Sequence, residues 1–360
     1  MKIKLFDPFI DDNEKKAIDQ VLMSKFWASG QGAGNVLKFE TEFKKFLKSD
    51  SCIGVNSGTA ALNLAVSLLD IKNKEVILPS LSFVSTAHCI LLNGGIPKFV
   101  DIDPSTLCID PNLIEKKINK KTKLIIPVHF GGHPCQIDKI NQIARKNNSY
   151  VIEDAAHAVN TKFNNKKIGK HSFASCFSFH PVKNLAMPTG GLISLNHKNH
   201  KNLARKLKSL RWCGISNRKN TDYDVTEIGN NYYMNEFSAA IGLVQLKKIN
   251  KITKIRQKIA KKYSKELNIE HKMPYDLQSS YHLYWIRVKN RKKFRENLDQ
   301  KNIETGTHYK PIHTFSFYNK HISLPITEKV SKEIVTIPIH PNLKDIEIDK
   351  IISSINKLVR

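Results

Sequence analysis

Lys183 is the side chain of this sequence best placed to act as a nucleophile. It follows an apolar, strand-like run in Phe177-Ser178-Phe179-His180-Pro181-Val182-Lys183-Asn184, and Gly190 and Gly191 come a few residues later. Small and aromatic neighbours at a strand exit describe a desolvated pocket better than a solvated surface. Burial there favours the neutral amine, which can form a Schiff base with a carbonyl. Lysine is abundant throughout the chain, so this position gains weight only from what accompanies it.

Two other corners accompany it. In Val151-Ile152-Glu153-Asp154-Ala155-Ala156-His157, acids stand at the end of an apolar run, the end of a strand where open α/β sheets bind ligands. A carboxylate at Asp154 can keep a pyridinium nitrogen protonated, and His157, three residues on, can hydrogen-bond a phenolic oxygen. Taken singly, Asp154 as a helix cap and His157 as a satisfied core histidine are equally good readings. In Val55-Asn56-Ser57-Gly58-Thr59-Ala60-Ala61 a strand meets a glycine turn and then a helix start, which is an anion cup or simply a capped corner. Anion cup at Gly58 and Thr59, strand-end acid and strand-exit lysine are the three groups that a pyridoxal phosphate site requires. Ser178 can add a hydroxyl to the phosphate. Phe83, in Pro79-Ser80-Leu81-Ser82-Phe83-Val84, can stack on the ring or pack in the core.

The bulk properties fit such a protein. The chain has 360 residues, 41% hydrophobic and 25% charged, enough for two domains or one large domain with an appendage. Its formal charge is +26, yet only nine of the 58 basic residues are arginine. Arginine is the residue of bidentate phosphate and base recognition, so the charge reads as solvated surface that suits an anionic small substrate, not nucleic acid. No apolar run reaches membrane-spanning length, and the first residues lack a signal-like apolar stretch, so a cytoplasmic location is expected. The six cysteines form no Cys-x-x-Cys pair and are expected to be buried free thiols. His129 and His133 are separated by Gly131 and Gly132 and followed by Pro134, which argues against a helical metal site; no metal is expected.

Strands and helices alternate through the first two thirds. Val36, Phe39, Phe43 and Phe46 mark an amphipathic helix, Cys52–Val55 a strand and Thr59–Leu69 a buried helix. Further short runs at Glu75–Leu78, Lys98–Val100, Leu124–Val128, Tyr150–Ile152, Ser175–Phe179 and Leu192–Leu195 predict an α/β domain with a mostly parallel central sheet. From about residue 245 the texture changes: a long lysine-rich helix with Ile252, Ile255, Ile259 and Tyr263 on one stripe, a strand at Tyr284–Val288, a loop-rich region with Pro311 and Pro325, and a C-terminal helix. The expected division is a large domain over 1–245 and a smaller α/β domain over 246–360.

Nearly end to end, these segments resemble the DegT/StrS sugar-nucleotide aminotransferases among the fold type I pyridoxal phosphate enzymes. The resemblance is carried by Trp27-Ala28-Ser29-Gly30 with Phe39-Glu40, Ser57-Gly58-Thr59-Ala60-Ala61-Leu62, Pro127-Val128-His129, Glu153-Asp154-Ala155-Ala156-His157 and Cys176-Phe177-Ser178-Phe179-His180 with Lys183-Asn184. It continues through Asn231-Tyr232 with Met234, Ala239-Ala240-Ile241-Gly242-Leu243 and His308-Tyr309-Lys310-Pro311. It implies a fold type I architecture: a large α/β/α domain that binds pyridoxal 5'-phosphate and a smaller C-terminal domain.

The resemblance also implies roles. Lys183 would carry the cofactor and move the proton, Asp154 would hold the pyridinium, His157 the phenolic oxygen, and Phe83 would stack. Gly58, Thr59 and Ser178 would bind the phosphate. Asn231 would reach the phosphate of a neighbouring subunit, since active sites in this family are shared within a homodimer. His308 and Tyr309 would contact the substrate, a keto sugar expected to be nucleotide-linked, with glutamate or glutamine as amino donor. A sugar dehydratase on the same scaffold would carry histidine in place of Lys183, and a keto-inositol or other free keto sugar is the remaining alternative substrate. Two positions depart from the family pattern: Tyr233 stands where an arginine is usual, and Thr189 where an acid precedes the two glycines.

Overall fold

The fold was obtained as a computed structural model, which describes residues 2–318 and 322–359. Alternating apolar runs of four or five residues form a seven-stranded sheet: β1 (Ser51–Val55), β2 (Glu75–Pro79), β3 (Ile96–Val100), β4 (Thr122–Ile125), β5 (Tyr150–Asp154), β6 (Ala174–Ser178) and β7 (Gly191–Leu195). Their spatial order is β1-β7-β6-β5-β4-β2-β3. The pairs from β3 to β6 are parallel, and β7 is antiparallel to both of its neighbours, so it alone runs against the other six.

Both faces of the sheet are covered. Along β2, Val76 and Leu78 belong to one apolar cluster and Ile77 to another; Ile152 and Val151 divide likewise on β5. The period-2 side-chain alternation of a strand thus feeds two cores, as expected of a mostly parallel sheet. A third cluster joins Phe39 and Phe43 of α1 (Gly34–Leu47) to Phe177 of β6, Phe179 just beyond it, and Ile249 and Ile252 of the long helix. Burial of the phenylalanine stripe is what holds α1 against the sheet.

The helix after β1, α2, spans Gly58–Ser67, with every apolar residue of its length buried. The lysine-rich helix, α3, runs unbroken over Glu236–Glu266, so the expected boundary at 245/246 falls inside it. Beyond it, Tyr284–Arg287 pairs antiparallel with Ile334–Ile337. Pro325, expected in a loop, instead opens the helix Pro325–Glu333. Proline suits that first position because its missing N–H and fixed φ cost nothing there. The cysteine expectation fails at one position: five of the six thiols are buried, but Cys213 is exposed. No helix among the described residues is long and apolar enough to cross a membrane.

Candidate active site

Parallel strands bring their carboxyl ends to one edge of the sheet, and the chain turns there from β1 into α2, from β2 toward Phe83, from β5 at Asp154 and from β6 at Ser178. These turns surround a cavity of about 310 Å³. Gly58, Thr59, Phe83, Asp154, His157, Ser178, Lys183, His308 and Tyr309 all line it. Asn231 does not line the cavity of its own chain; its carbonyl accepts a 3.2 Å bond from Asn56 Nδ2, and the residue is otherwise exposed.

At the start of α2, the Ser57 hydroxyl accepts the Ala60 N–H at 3.1 Å and the Ser57 carbonyl accepts that of Ala61. The cap and the anion cup are therefore the same corner, because the N–H groups of Gly58 and Thr59 have no partner within the helix. Glycine is required at 58: a Cβ there would stand 2.7 Å from the Cβ of Ser178. At Gly191 a Cβ would meet the Ser57 carbonyl oxygen at 2.2 Å. These two close approaches bring the Ser178 hydroxyl beside the helix start, a donor set that fits a phosphate.

Asp154 is 4% exposed. Its Oδ2 accepts from the Thr86 hydroxyl at 2.8 Å and its Oδ1 from the Ala156 N–H at 3.1 Å. No helix follows β5, so Asp154 caps a turn and not the helix that one reading allowed. Burial pushes its pKa upward, against the hydrogen bonds from Thr86 and Ala156 and the charge of Lys183. Among the described residues no cationic side chain forms an ion pair with it, and a cationic ring nitrogen would supply the missing counter-charge.

Lys183, in the loop after β6, lines the cavity and is half-buried. Burial lowers the pKa of its amine from 10.5 to about 8, with the charge of Asp154 acting in the opposite direction. The loop is held down through Met187: a Cβ at Gly242 of α3 would fall 2.1 Å from Met187 Cε. Thr189 donates its hydroxyl to the carbonyl of Asn56 at the rim, so this departure from the family pattern ties the lysine loop to the anion cup.

His157 accepts the Gly131 N–H at Nδ1, 3.2 Å away, which places the proton on Nε2, 3.1 Å from the Tyr309 hydroxyl. Burial depresses its pKa strongly, so it is a neutral donor. Phe83 is 56% exposed and meets Tyr309 edge-on at 6.3 Å, which removes the core-packing reading for this ring. His308 bonds Thr336 Oγ1 at 2.8 Å through Nδ1. Behind the site, His129 Nε2 bonds Glu153 Oε2 at 2.8 Å, and the other Glu153 oxygen accepts from Ser175. His129 is thus a buried brace for the strand carrying Asp154.

Sequence reasoning passed over two residues of the site. Thr86, the donor to Asp154, lay in the same Ser-rich stretch as Phe83 and could have been found as a hydroxyl one helical turn from Ser82, to which it bonds at 2.8 Å. His282, whose Nε2 lies 3.4 Å from Lys183 Nζ, carried no local signal.

Residues 8–356 match the model of the DegT/DnrJ/EryC1/StrS aminotransferase family. The spore coat polysaccharide biosynthesis protein SpsC of Bacillus subtilis is 33% identical, covering 98% of this chain and 96% of its own length. Among solved structures, Helicobacter pylori PseC, an aminotransferase of pseudoaminic acid biosynthesis, superposes with a TM-score of 0.93 at 29% identity over 99% of both chains. The putative sugar aminotransferase Spr1654 from Streptococcus pneumoniae, in its pyridoxal phosphate form, gives 0.94 at 25% identity, over 99% of this chain and 98% of that one.

Proposed function

The chain belongs to the DegT/DnrJ/EryC1/StrS aminotransferase family, and from that premise we propose that it aminates the keto carbon of a nucleotide-linked sugar in the cytoplasm, drawing on glutamate or glutamine. It is a pyridoxal phosphate-dependent enzyme. The observation that supports the site assignment is the convergence of Lys183, Asp154 and the α2 start on one cavity at the carboxyl edge of the sheet.

Bound pyridoxal phosphate supplies an electron sink that acidifies the C–H beside the reacting nitrogen. Each protein group has a task set by its surroundings. Gly58, Thr59 and Ser178 anchor the phosphate. Asp154, oriented by Thr86 and Ala156, keeps a cation at the ring nitrogen. His157 donates from Nε2, and Phe83 offers an open aromatic face. Lys183, with an amine poised at about pH 8, is a base that can take a proton at one carbon and return it to another near neutral pH.

Nucleotide linkage is supported by a second cavity of about 830 Å³ that shares the 307–314 segment with the site. Arg291, Lys310 and Lys332 line it, a field suited to a diphosphate, beside Glu328 paired with His313. A homodimer is supported by the exposed apolar side chains Leu22, Met23, Phe26, Trp27, Val225 and Ile228, the last 95% exposed and three residues from Asn231.

The test is a panel of keto sugars, free and nucleotide-linked, incubated with the enzyme and glutamate or glutamine. Mass spectrometry is expected to show amine product from nucleotide-linked members. Product from the free sugars alone would overturn the substrate assignment.

A further inference from the structure

We propose that His282 is a positioning residue for Lys183: its neutral imidazole accepts a hydrogen bond at Nε2 from the lysine amine and keeps that amine aimed into the cavity whenever it is free. The inference rests on Lys183 being the lysine that carries the cofactor. His282 Nε2 lies 3.4 Å from Lys183 Nζ. A charged amine can only donate, so Nε2 is the acceptor and the ring proton belongs on Nδ1. Nδ1 has no partner among the described residues, and the side chain is only 1% exposed. A buried donor left without a partner destabilises the fold, and a leucine would fill the space without that cost. The histidine is retained against folding stability, which points to the bond it makes on its other side.

The segment carrying His282 is built to hold it still. Arg256 of α3, 4% exposed, donates from Nη1 to the carbonyls of Tyr281 at 3.1 Å, His282 at 3.4 Å and Ile339 at 2.7 Å. Asn184, the residue next to Lys183, donates to the Ser280 carbonyl at 2.9 Å. The segments carrying the two partners are thereby tied to one another next to the contact. Phe6 stacks on the His282 ring at 5.7 Å and 18°, and the His157 ring lies 4.5 Å away, which leaves the imidazole no room to turn.

The groups facing His282 are Lys183, His157, Arg256 and His308, all cationic or neutral. Burial first, and then the charges of Lys183 and Arg256, push its pKa well below the ordinary histidine value. The ring therefore remains an acceptor for Lys183 across the neutral range.

The test reads Lys183 itself. In protein stripped of cofactor, Lys183 is modified with an amine-selective reagent across a pH series and quantified by peptide mass spectrometry. The wild-type midpoint is expected near the amine's pKa of about 8. In His282→Leu the ammonium loses its acceptor, and the midpoint is expected to fall by about one unit. His282→Gln, whose amide oxygen can replace Nε2, is expected to restore it. An unchanged midpoint in a folded His282→Leu overturns the proposal. Should that variant fail to fold by circular dichroism, His282→Asn takes its place, because its shorter amide cannot reach. Equal midpoints for Asn, Gln and wild type would then overturn it. Failure of the underlying reading is recognised separately: borohydride reduction of the holoenzyme would fix the cofactor to some other lysine.

Discussion

Thr86 donates its hydroxyl to Asp154 Oδ2 across 2.8 Å, joining the helix after β2 to the end of β5 behind the cavity wall. That bond fixes the rotation of a carboxylate with almost no solvent around it. It leaves Asp154 ordered but without an ion-paired cation among the described residues.

Asp154→Asn is expected to retain part of the cofactor while losing roughly 10²-fold or more in turnover, since a neutral amide cannot stabilise a ring cation. Thr86→Val, which removes only the orienting hydroxyl, should lose much less. Steady-state kinetics on the two variants checks the order. Turnover in Asp154→Asn equal to wild type would exclude its role at the ring nitrogen.

Gly191→Ala is expected to destabilise the fold by about 1–3 kcal/mol. Its Cβ meets backbone, the Ser57 carbonyl oxygen at 2.2 Å, and no flexible side chain can yield. Cofactor affinity should fall with stability, because the same movement opens the anion cup. Urea unfolding and a cofactor titration measure both; unchanged affinity would separate Gly191 from the cup.

The pH dependence of stability carries a signature of Lys183. Its folded pKa of about 8 lies below the unfolded 10.5, so between these values the unfolded chain binds more protons and stability rises with pH. Below about pH 8 the penalty for the buried ammonium is fully present. Lys183→Met is thus expected to raise the melting temperature of the cofactor-free protein near neutrality. The gain should shrink as pH climbs from 8 toward 10.5. A difference between the two proteins that stays constant over that range would contradict the burial of a charged amine.

The proposed sharing of sites between subunits predicts complementation. Lys183→Ala and Asn231→Leu, each impaired alone, are expected to regain activity when mixed and allowed to exchange subunits. Ile228→Lys should weaken the proposed dimer, as read by light scattering. Absence of regain from a demonstrated mixed dimer would mean that Asn231 serves no neighbouring site.

The sheet and the principal site residues were legible because strand ends announce themselves. Asp154 and Ser178 close apolar runs, and Gly58 follows one, so a parallel sheet must carry them to one edge. The run Glu75–Leu78 was read as a strand, but the division of Val76 and Leu78 from Ile77 between two cores appears only in the fold. What was not legible depends on contacts distant in sequence. His282 reaches Lys183 from 99 positions away through a loop pinned by Arg256, and no local pattern encodes that. The Glu40 of the Phe39-Glu40 pair was visible only as a motif. In the fold it accepts the Gly54 N–H and pairs with buried Arg211, which also grips the Gly54 carbonyl, so it braces β1 just ahead of the anion cup. Pro325 was misplaced because proline both breaks helices and begins them, and only the chain's later path decides.

Every role proposed for the site turns on which amine carries the cofactor. Borohydride reduction of the holoenzyme, followed by proteolysis and mass mapping, reads this directly. The cofactor mass is expected on the peptide containing Lys183, and Lys183→Ala should show neither the label nor the visible absorbance of the wild type. Label on any other lysine, or visible absorbance persisting in Lys183→Ala, would contradict it.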